Sequence, residues 1–324
     1  MPDMLETLNS YASQLRDALE LGKGVEVNSN INRIIIAGMG GSAWPGDILA
    51  AILREEKIKI PIEIVRDYFL PAYVDEKTLV FVVSYSGNTE ETILMYSSAL
   101  KKNAQTVVIT SGGKLRWLIK EADKQVSLIR IPSGYEPRLA TGFILVSMLN
   151  VLRGILPVNP LMNINKTVEA LAKTNAYSQK ALEVAERLFG KIPLIYTSNR
   201  FFPAAYVWKI SINETAKMHA FCNSFSEINH NELSGFIQPN GSYHVLIIKD
   251  EMDYGQVKKR MNLTKAIIRE HGVDVTELLV KGDSFMTKML TVIYLGLFTA
   301  YHLALKNNVN PSSVDLQENL KKML

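Results

Sequence analysis

One segment in the first third of the chain limits the possible folds more than any other. A run without charged residues, Thr78-Leu-Val-Phe-Val-Val83, is followed by a polar turn, Ser84-Tyr-Ser-Gly-Asn-Thr89, and residues 90–100 then carry apolar side chains at helical spacing. Such a run is typical of a strand that is buried on both faces, as in a parallel sheet. Because parallel strands need crossover connections, usually helices, the segment predicts an α/β fold of repeated strand–turn–helix units.

The polar turn has the composition of an anion site. The first backbone N–H groups of a helix have no acceptor within the helix, and the helix dipole favours negative charge there. Ser84, Ser86 and Thr89 add three hydroxyl donors, and Gly87 lets the backbone approach a ligand closely. We interpret the turn as a binding site for a phosphate monoester. The simpler alternative is that these residues are only helix caps and turn formers.

Composition narrows the class of function. The 324 residues are enough for two domains, and a net charge of +4 without long basic runs suits a small anionic substrate better than nucleic acid. A single cysteine, Cys222, rules out an internal disulfide and indicates a cytoplasmic protein. We interpret the longest apolar run, residues 289–305, as a helix buried between domains and not as a membrane span.

The first half of the chain repeats the strand–turn–helix pattern. Strands are predicted at residues 31–37, 61–65, 78–83, 105–110 and 126–131. The first strand runs into Gly38-Met-Gly-Gly-Ser-Ala43, which resembles a dinucleotide fingerprint but lacks the third small residue and the acidic residue at the required spacing. We therefore assign Gly40, Gly41 and Ser42 to a second wall of the phosphate and sugar site, and we expect no cofactor.

Two prolines, Pro157 and Pro160, mark a predicted boundary between a domain of residues 1–157 and one of residues 158–324. The second half alternates in the same way, with strands predicted at 192–196, 245–249 and 273–280 and helices that include 163–189 and 313–324. It has no copy of the hydroxyl-rich turn, so one phosphate site is expected. The predicted fold class is α/β, with two doubly wound parallel-sheet subdomains.

Three charged residues are candidates for chemistry. Arg138, two residues after Glu136, precedes an apolar helix and either faces an anion or is a solvated charge. Glu214, on a largely apolar helix, either pairs with Lys217 or transfers protons. His230 lies among Asn and Glu residues and suits acid–base chemistry near neutral pH, although a surface histidine would have the same setting. The five histidines lack the spacing of a zinc site, so no metal is expected.

Five motifs in this order resemble one known family. They are G-M-G-G-S, S-Y-S-G-N-T-E-E-T, E-P-R, N-E-T-A-K and E-I-N-H-N-E, which begin at residues 38, 84, 136, 213 and 227. Together they are similar to the sugar isomerase (SIS) domain fold, which is flavodoxin-like, and more closely to the bifunctional phosphoglucose/phosphomannose isomerases of archaea. The hydroxyl motif is common to the superfamily, whereas the last two motifs are far more specific to the isomerases. The resemblance covers about residues 20–322.

The resemblance implies a role for each matching residue. In that family the hydroxyl turn holds the sugar 6-phosphate and the glycine turn lies beside the sugar, which assigns substrate binding to Gly41, Ser42, Ser84, Ser86 and Thr89. A glutamate that moves a proton between C1 and C2 matches Glu214, and an arginine that faces the enediolate matches Arg138. The ring-opening histidine, which comes from the partner subunit of a dimer, matches His230. A C-terminal lysine that also serves ring opening matches Lys321, with Lys322 as the alternative.

As a whole, the resemblance implies a cytoplasmic, metal-independent, homodimeric isomerase of carbohydrate metabolism, acting in glycolysis and gluconeogenesis. It would interconvert glucose 6-phosphate, and mannose 6-phosphate as well, with fructose 6-phosphate. One departure bears on the mannose epimer: related enzymes that accept it carry a threonine shortly before the lysine, where this chain has Ser312, Ser313 and Val314. The alternative from another class is a non-catalytic sugar-phosphate-binding regulator of the same fold, which would keep the hydroxyl turn without the catalytic residues.

Overall fold

The computed structural model describes residues 3–121 and 126–323, which form two compact units. The first unit contains residues 10–121 and 126–168, and the second contains residues 3–9 and 169–323. The division between the two units falls within the helix Ile164–Leu171, after the boundary expected at residue 157. The expected division into two functional domains stays a prediction. Leu324, the end of the predicted terminal helix, lies outside the described residues.

A five-stranded parallel sheet forms the centre of the first unit. Its strands are β1 (Arg33–Gly38), β2 (Ile62–Val65), β3 (Thr78–Val83), β4 (Gln105–Thr110) and β5 (Ser127–Arg130). They lie in the order β2-β1-β3-β4-β5, the flavodoxin-like order, in which the direction of winding reverses between β1 and β3. All six residues of β3 are buried, as its uncharged sequence predicts for a central strand.

Helices cover both faces of this sheet. In chain order the helices up to the change of unit are α1 (Met4–Asn9), which belongs to the second unit, α2 (Tyr11–Asp17), α3 (Trp44–Glu55), α4 (Glu90–Lys101), α5 (Gly113–Lys120), α6 (Thr141–Leu152) and α7 (Ile164–Leu171). Val82 of β3 and Met95 of α4 belong to the same buried cluster on one face. On the other face, Gly46 of α3 lies so close to Ile36 that a Cβ there would be 2.8 Å from its side chain.

A four-stranded parallel sheet forms the centre of the second unit. Its strands are β6 (Ile192–Ser198), β7 (Phe221–Phe225), β8 (Tyr243–Lys249) and β9 (Asp274–Leu279), and its helices after α7 are α8 (Thr174–Leu188), α9 (Phe202–Ala216), α10 (Gly255–Glu270), α11 (Phe285–Lys306) and α12 (Asp315–Met323). The order β7-β6-β8-β9 repeats that of β2-β1-β3-β4 in the first sheet. The predicted α/β class with two parallel sheets is confirmed.

Two elements differ from what the sequence predicts. Strand β7 was not predicted, because its sequence Phe221-Cys-Asn-Ser-Phe225 has a polar centre; the strand lies at the edge of the sheet, where one side stays unpaired. The single helix predicted at 163–189 is wrong, because α7 and α8 are separated by a break before Thr174. Thr and Asn side chains compete with helical hydrogen bonds, and Thr174-Asn175 stands at this break.

The long apolar helix α11 is a core helix of the second unit. Of the described helices it alone has the length and composition of a membrane span, yet 78% of its most apolar window is buried. It packs against α8 and α9. The indole N–H of Trp208 on α9 donates to the carbonyl oxygen of Val292 at 2.7 Å, and Gly296 leaves room for the indole ring. The helix is therefore buried, as predicted. Its packing partners α8 and α9 both belong to the second unit, and its expected place between two domains stays a prediction.

A buried histidine in β8 is expected to make stability depend on pH. The ring Nε2 of His244 lies 2.9 Å from the hydroxyl of Thr276, and burial lowers the pKa of this imidazole. Below about pH 6.5 the unfolded chain then binds a proton more readily than the folded chain, so the free energy of unfolding falls as the pH drops through this range. Urea unfolding at several pH values measures the slope. His244→Gln should flatten it, whereas the exposed His271→Gln serves as control; an equal slope in both variants would contradict this origin.

Candidate active site

The turns that follow β1 and β3 meet at the carboxyl end of the first sheet. Gly38 of β1 lies beside Val83 of β3 in the parallel register, so the glycine-rich and hydroxyl-rich turns begin at the same level. The backbone N–H of Tyr85 donates to the hydroxyl oxygen of Ser42 at 3.0 Å and joins the two turns directly. Open α/β sheets bind their ligands in this crevice, where the winding reverses.

Inside the hydroxyl-rich turn, side chains and backbone hold each other in place. The hydroxyl oxygens of Ser84 and Thr89 lie 3.0 Å apart, and the N–H of Gly87 donates to the Ser84 hydroxyl at 3.1 Å. Ser84 is 1% exposed, Thr89 is half-buried and Ser86 is exposed. Thr89 is the N-cap residue of α4, but its side chain makes no capping hydrogen bond to that helix. The first N–H groups of α4 are therefore not capped by this hydroxyl, which suits the binding of an anion.

The backbone of this turn is packed against the turn that follows β4. Gly87 has a φ of 69°, and a Cβ on it would lie 1.8 Å from the carbonyl oxygen of Gly112. The N–H of Lys114 donates to Oδ1 of Asn88 at 2.9 Å, and the N–H of Leu115 donates to the carbonyl oxygen of Gly87 at 2.9 Å. The contacts by which Asn88 and Gly112 support the hydroxyl-rich turn were not predicted. The sequence feature that could have indicated them is the pair Gly112-Gly113, which begins two residues after the end of β4.

Arg138 lies on another side of the same crevice. It belongs to the short turn Pro137–Leu139 before α6 and is 6% exposed, so the interpretation as a solvated charge is wrong. A Cβ on Gly41 would lie 2.6 Å from the backbone nitrogen of Arg138, which is why the glycine turn can approach so closely. Nη2 of Arg138 lies 2.5 Å from Oε2 of Glu136, and this ion pair holds the guanidinium in a buried place.

The first unit thus brings together six of the predicted site residues, which are Gly41, Ser42, Ser84, Ser86, Thr89 and Arg138. The pairing of Arg138 with Glu136 was not predicted. The E-P-R motif could have indicated this pairing, because the proline between the two charged residues restricts the backbone and so limits the directions of their side chains. The roles of these residues in binding and chemistry stay predictions.

The corresponding turn of the second unit carries carboxylates in place of hydroxyls. Strand β8 has the position of β3 in the strand order, and Asp250 and Asp253 follow it with fully buried side chains. The Ser198 hydroxyl donates to Oδ1 of Asp253 at 2.6 Å. Nζ of Lys288 lies 2.6 Å from Oδ1 of Asp250, and Nη1 of Arg200 lies 3.0 Å from its Oδ2. Where the first unit carries hydroxyls, the second unit thus carries two buried carboxylates that are already paired with cations of the chain.

Glu214 is half-buried near the end of α9. The ammonium group of Lys217, which the sequence suggested as a partner of the carboxylate, donates to the backbone carbonyl oxygen of Glu214 and, at 2.6 Å, to that of Ser313. Nδ2 of Asn307 donates to the carbonyl oxygen of Ala216 at 2.9 Å. These bonds tie the end of α9 to the segment that leads into α12.

His230 is exposed at the end of the short turn Glu227–Asn229. The residues around it are held by hydrogen bonds: Nδ2 of Asn231 donates to Oε1 of Glu227 at 2.6 Å, and the hydroxyl of Tyr196 donates to Oε2 of Glu232 at 2.9 Å. The turn therefore presents the imidazole at the surface of its unit. Whether it acts in catalysis stays a prediction.

Lys321 lies on α12, a helix none of whose residues is buried. Lys322 is next to it on the same exposed helix, and the choice between the two lysines stays a prediction. Within residues 3–121 and 126–323, no three His, Cys, Asp or Glu side chains are grouped so as to hold a metal ion.

Comparison with known proteins places these sites in context. Residues 177–324 match the family model described as bacterial phospho-glucose isomerase C-terminal SIS domain, and residues 29–129 match the SIS domain model. A bifunctional phosphoglucose/phosphomannose isomerase of Caldicellulosiruptor bescii is 35% identical, covering 99% of this chain and 98% of that protein. A D-glucosamine-6-phosphate 4-epimerase of Sulfolobus acidocaldarius is 31% identical, covering 68% of this chain and 70% of that protein.

The fold also matches solved structures. A hypothetical protein from Thermus thermophilus superposes with a TM-score of 0.74 at 16% identity, covering 100% of this chain and 91% of that one. At this identity the likeness concerns the fold alone.

Proposed function

Because the chain belongs to the bifunctional phosphoglucose/phosphomannose isomerase family and is a phosphosugar isomerase, we propose that it interconverts fructose 6-phosphate with glucose 6-phosphate and mannose 6-phosphate. The observation that carries the proposal is the crevice at the end of β1 and β3. There a hydroxyl-rich turn at a helix N-terminus lies beside a glycine turn, and the glycine turn packs against a buried arginine.

We assign binding of the substrate's phosphate group to the hydroxyl-rich turn. Ser84, Ser86 and Thr89, with the first N–H groups of α4, supply donors for a phosphate at the end of the sugar remote from the reacting carbons. The binding energy of these phosphate contacts positions C1 and C2 for reaction, although the phosphate takes no part in the bond changes. Gly41 and Ser42 form the neighbouring wall, against the sugar.

The isomerisation needs one base that reaches both C1 and C2 on the same face of a cis-enediol, and a single carboxylate is sufficient. We assign this proton transfer to Glu214. Negative charge develops on the oxygen of the enediolate, and the buried guanidinium of Arg138 is preorganised to stabilise it. Neither step requires a metal ion.

Ring opening is assigned to His230 and Lys321. Both residues are exposed on their own unit, which fits groups that act across a subunit interface. The proposal includes a homodimer in which His230 of one chain serves the substrate held by its partner, and it places the enzyme in the cytoplasm.

Turnover assays with purified protein test the proposal. Fructose 6-phosphate, glucose 6-phosphate, mannose 6-phosphate and D-glucosamine 6-phosphate are offered separately, with and without a chelator. We expect the first three to interconvert and the chelator to have no effect. Binding without turnover of any sugar would favour the regulatory alternative, turnover of the amino sugar alone would favour an epimerase, and loss of activity on chelation would contradict the metal-independent mechanism.

Thr89→Val is expected to raise KM for fructose 6-phosphate by about tenfold to a hundredfold, because a hydrogen bond to a charged group contributes about 1.5–3 kcal/mol. Valine keeps the shape of threonine and removes the hydroxyl, so kcat should change much less. Steady-state kinetics measure both constants. Ser98→Ala, later in α4, is the matched control; an unchanged KM in Thr89→Val would remove this hydroxyl from the phosphate site.

Mixing two inactive variants tests the shared active site. Glu214→Gln and His230→Ala proteins are combined under conditions in which subunits exchange. If His230 acts on the partner's substrate, each mixed dimer has one intact site, and random exchange restores about a quarter of wild-type activity. Each variant exchanged with itself is the control. A mixture as inactive as its components would show that both groups serve the same chain's substrate.

A further inference from the structure

A cavity of about 430 Å³ lies in the second unit, and the proposed isomerisation does not use it. Its walls include four aromatic side chains, from Tyr196, Phe221, Phe236 and Tyr243, and one carboxylate, from Glu232. Gln238 and Asn240 also line it, so the walls combine aromatic and polar side chains, and the volume lies in the range of small-molecule sites.

The aromatic walls are fixed by the sheet and by the short turn Glu232–Ile237. Tyr196 on β6 is 2% exposed, and its ring packs edge-on against Phe225 of β7 with centroids 6.4 Å apart. Phe236 is also buried, whereas Phe221 on the edge strand is 54% exposed and stands at the mouth. The cavity therefore has buried aromatic rings on its inner wall and one solvent-exposed ring.

The carboxylate of Glu232 supplies the charge. It accepts hydrogen bonds from the Tyr196 hydroxyl at 2.9 Å and from Nδ2 of Asn223 at 2.5 Å. Burial, and then the charge of Glu232, raise the pKa of the Tyr196 phenol, which keeps this group a donor. Both donors are neutral, so they orient the carboxylate without cancelling its charge. A carboxylate has further lone pairs beyond the two used here.

We propose that this cavity binds a small organic ammonium ion. Aromatic faces attract a cation, and they do so most strongly when it is desolvated between several rings. Glu232 adds a direct charge partner at the same wall. A sugar phosphate has the opposite charge, so the ligand belongs to a different class from the proposed substrate. Glu232 follows His230 by two residues and begins the next short turn, so an occupant would contact a segment adjacent to the imidazole.

Choline and its uncharged isostere 3,3-dimethylbutan-1-ol distinguish charge from shape. Isothermal titration of the full chain should show binding of choline and binding at least about tenfold weaker of the alcohol, since cation–π attraction and the carboxylate act only on the cation. Equal affinities for choline and the alcohol would show that the cavity selects for apolar shape and not for positive charge. The absence of any binding signal with choline would show that the cavity is not an ammonium site. Either result overturns the proposal.

Glu232→Gln keeps the size and the acceptor oxygen of the side chain but removes the charge, and it should weaken choline binding by about tenfold or more. Phe221→Leu should weaken it less, because one ring of several is lost. Glu251→Gln, an exposed carboxylate of the same unit, is the matched control and should bind choline like the wild type. Equal choline affinity in Glu232→Gln and the control would overturn the assignment of the carboxylate.

Discussion

Glu214→Gln is expected to lose nearly all isomerase activity while still binding sugar phosphate. Glutamine has the size of glutamate and accepts hydrogen bonds, but it cannot take a proton from carbon. A positioned acid–base group contributes about 10²–10⁴-fold to a rate, so kcat should fall by at least this range. A coupled assay measures kcat, and equilibrium dialysis with fructose 6-phosphate measures binding.

A second readout separates the base from a structural role. In deuterium oxide the wild-type enzyme should exchange the hydrogen at C1 or C2 of its substrate with solvent, and Glu214→Gln should not. Glu270→Gln, an exposed carboxylate on α10, is the matched control and should behave like the wild type. Activity of Glu214→Gln close to that of the control would show that Glu214 does not carry the proton. The transfer between C1 and C2 would then have no assigned base.

Gly87→Ala is expected to distort the phosphate turn and to destabilise the first unit. At a φ of 69° an alanine is strained by about 1–2 kcal/mol, and its Cβ would lie 1.8 Å from the carbonyl oxygen of Gly112, so one of the two turns must move. We expect a loss of about 2–4 kcal/mol in unfolding free energy. We also expect a large rise in KM for sugar phosphates.

Gly24→Ala separates backbone strain from collision. Gly24 also has positive φ, at 75°, but a Cβ there meets no atom within 4 Å. Its cost should therefore be the strain alone, and substrate binding should be unaffected. Urea unfolding and steady-state kinetics compare the two variants. Similar stability and similar KM in both would mean that the close approach of the two turns does not shape the site.

The parts of the fold that were predicted are those with strong local patterns. The uncharged run of β3 and the hydroxyls after it predicted a buried strand and a turn, because burial on both faces favours an almost continuous apolar sequence. The glycine turn was assigned to a second wall of the site because it follows a buried strand and lacks the dinucleotide fingerprint, and the hydrogen bond between Tyr85 and Ser42 joins the two turns. Arg138 could be placed near this crevice but not in a buried ion pair, because its contact with Glu136 depends on the path of one proline-containing turn.

The parts that were missed depend on tertiary contacts. Strand β7 has a polar centre, and only its pairing with β6 makes it a strand. The spacing of Glu214 and Lys217 did not indicate that Lys217, just past the end of α9 with a φ of 57°, donates from its ammonium group to the backbone carbonyl oxygens of Glu214 and Ser313. A spacing rule for helices does not hold beyond the last helical residue.

The carboxylates after β8 have a consequence for stoichiometry. Two copies of one architecture would ordinarily provide two anion-binding sites in each chain. In the second copy, Asp250 and Asp253 already engage Arg200 and Lys288, so a phosphate would have to compete with two buried carboxylates for these cations. We therefore expect saturation at a single sugar phosphate for each chain, with the later repeat contributing the proposed catalytic groups and not a second phosphate site.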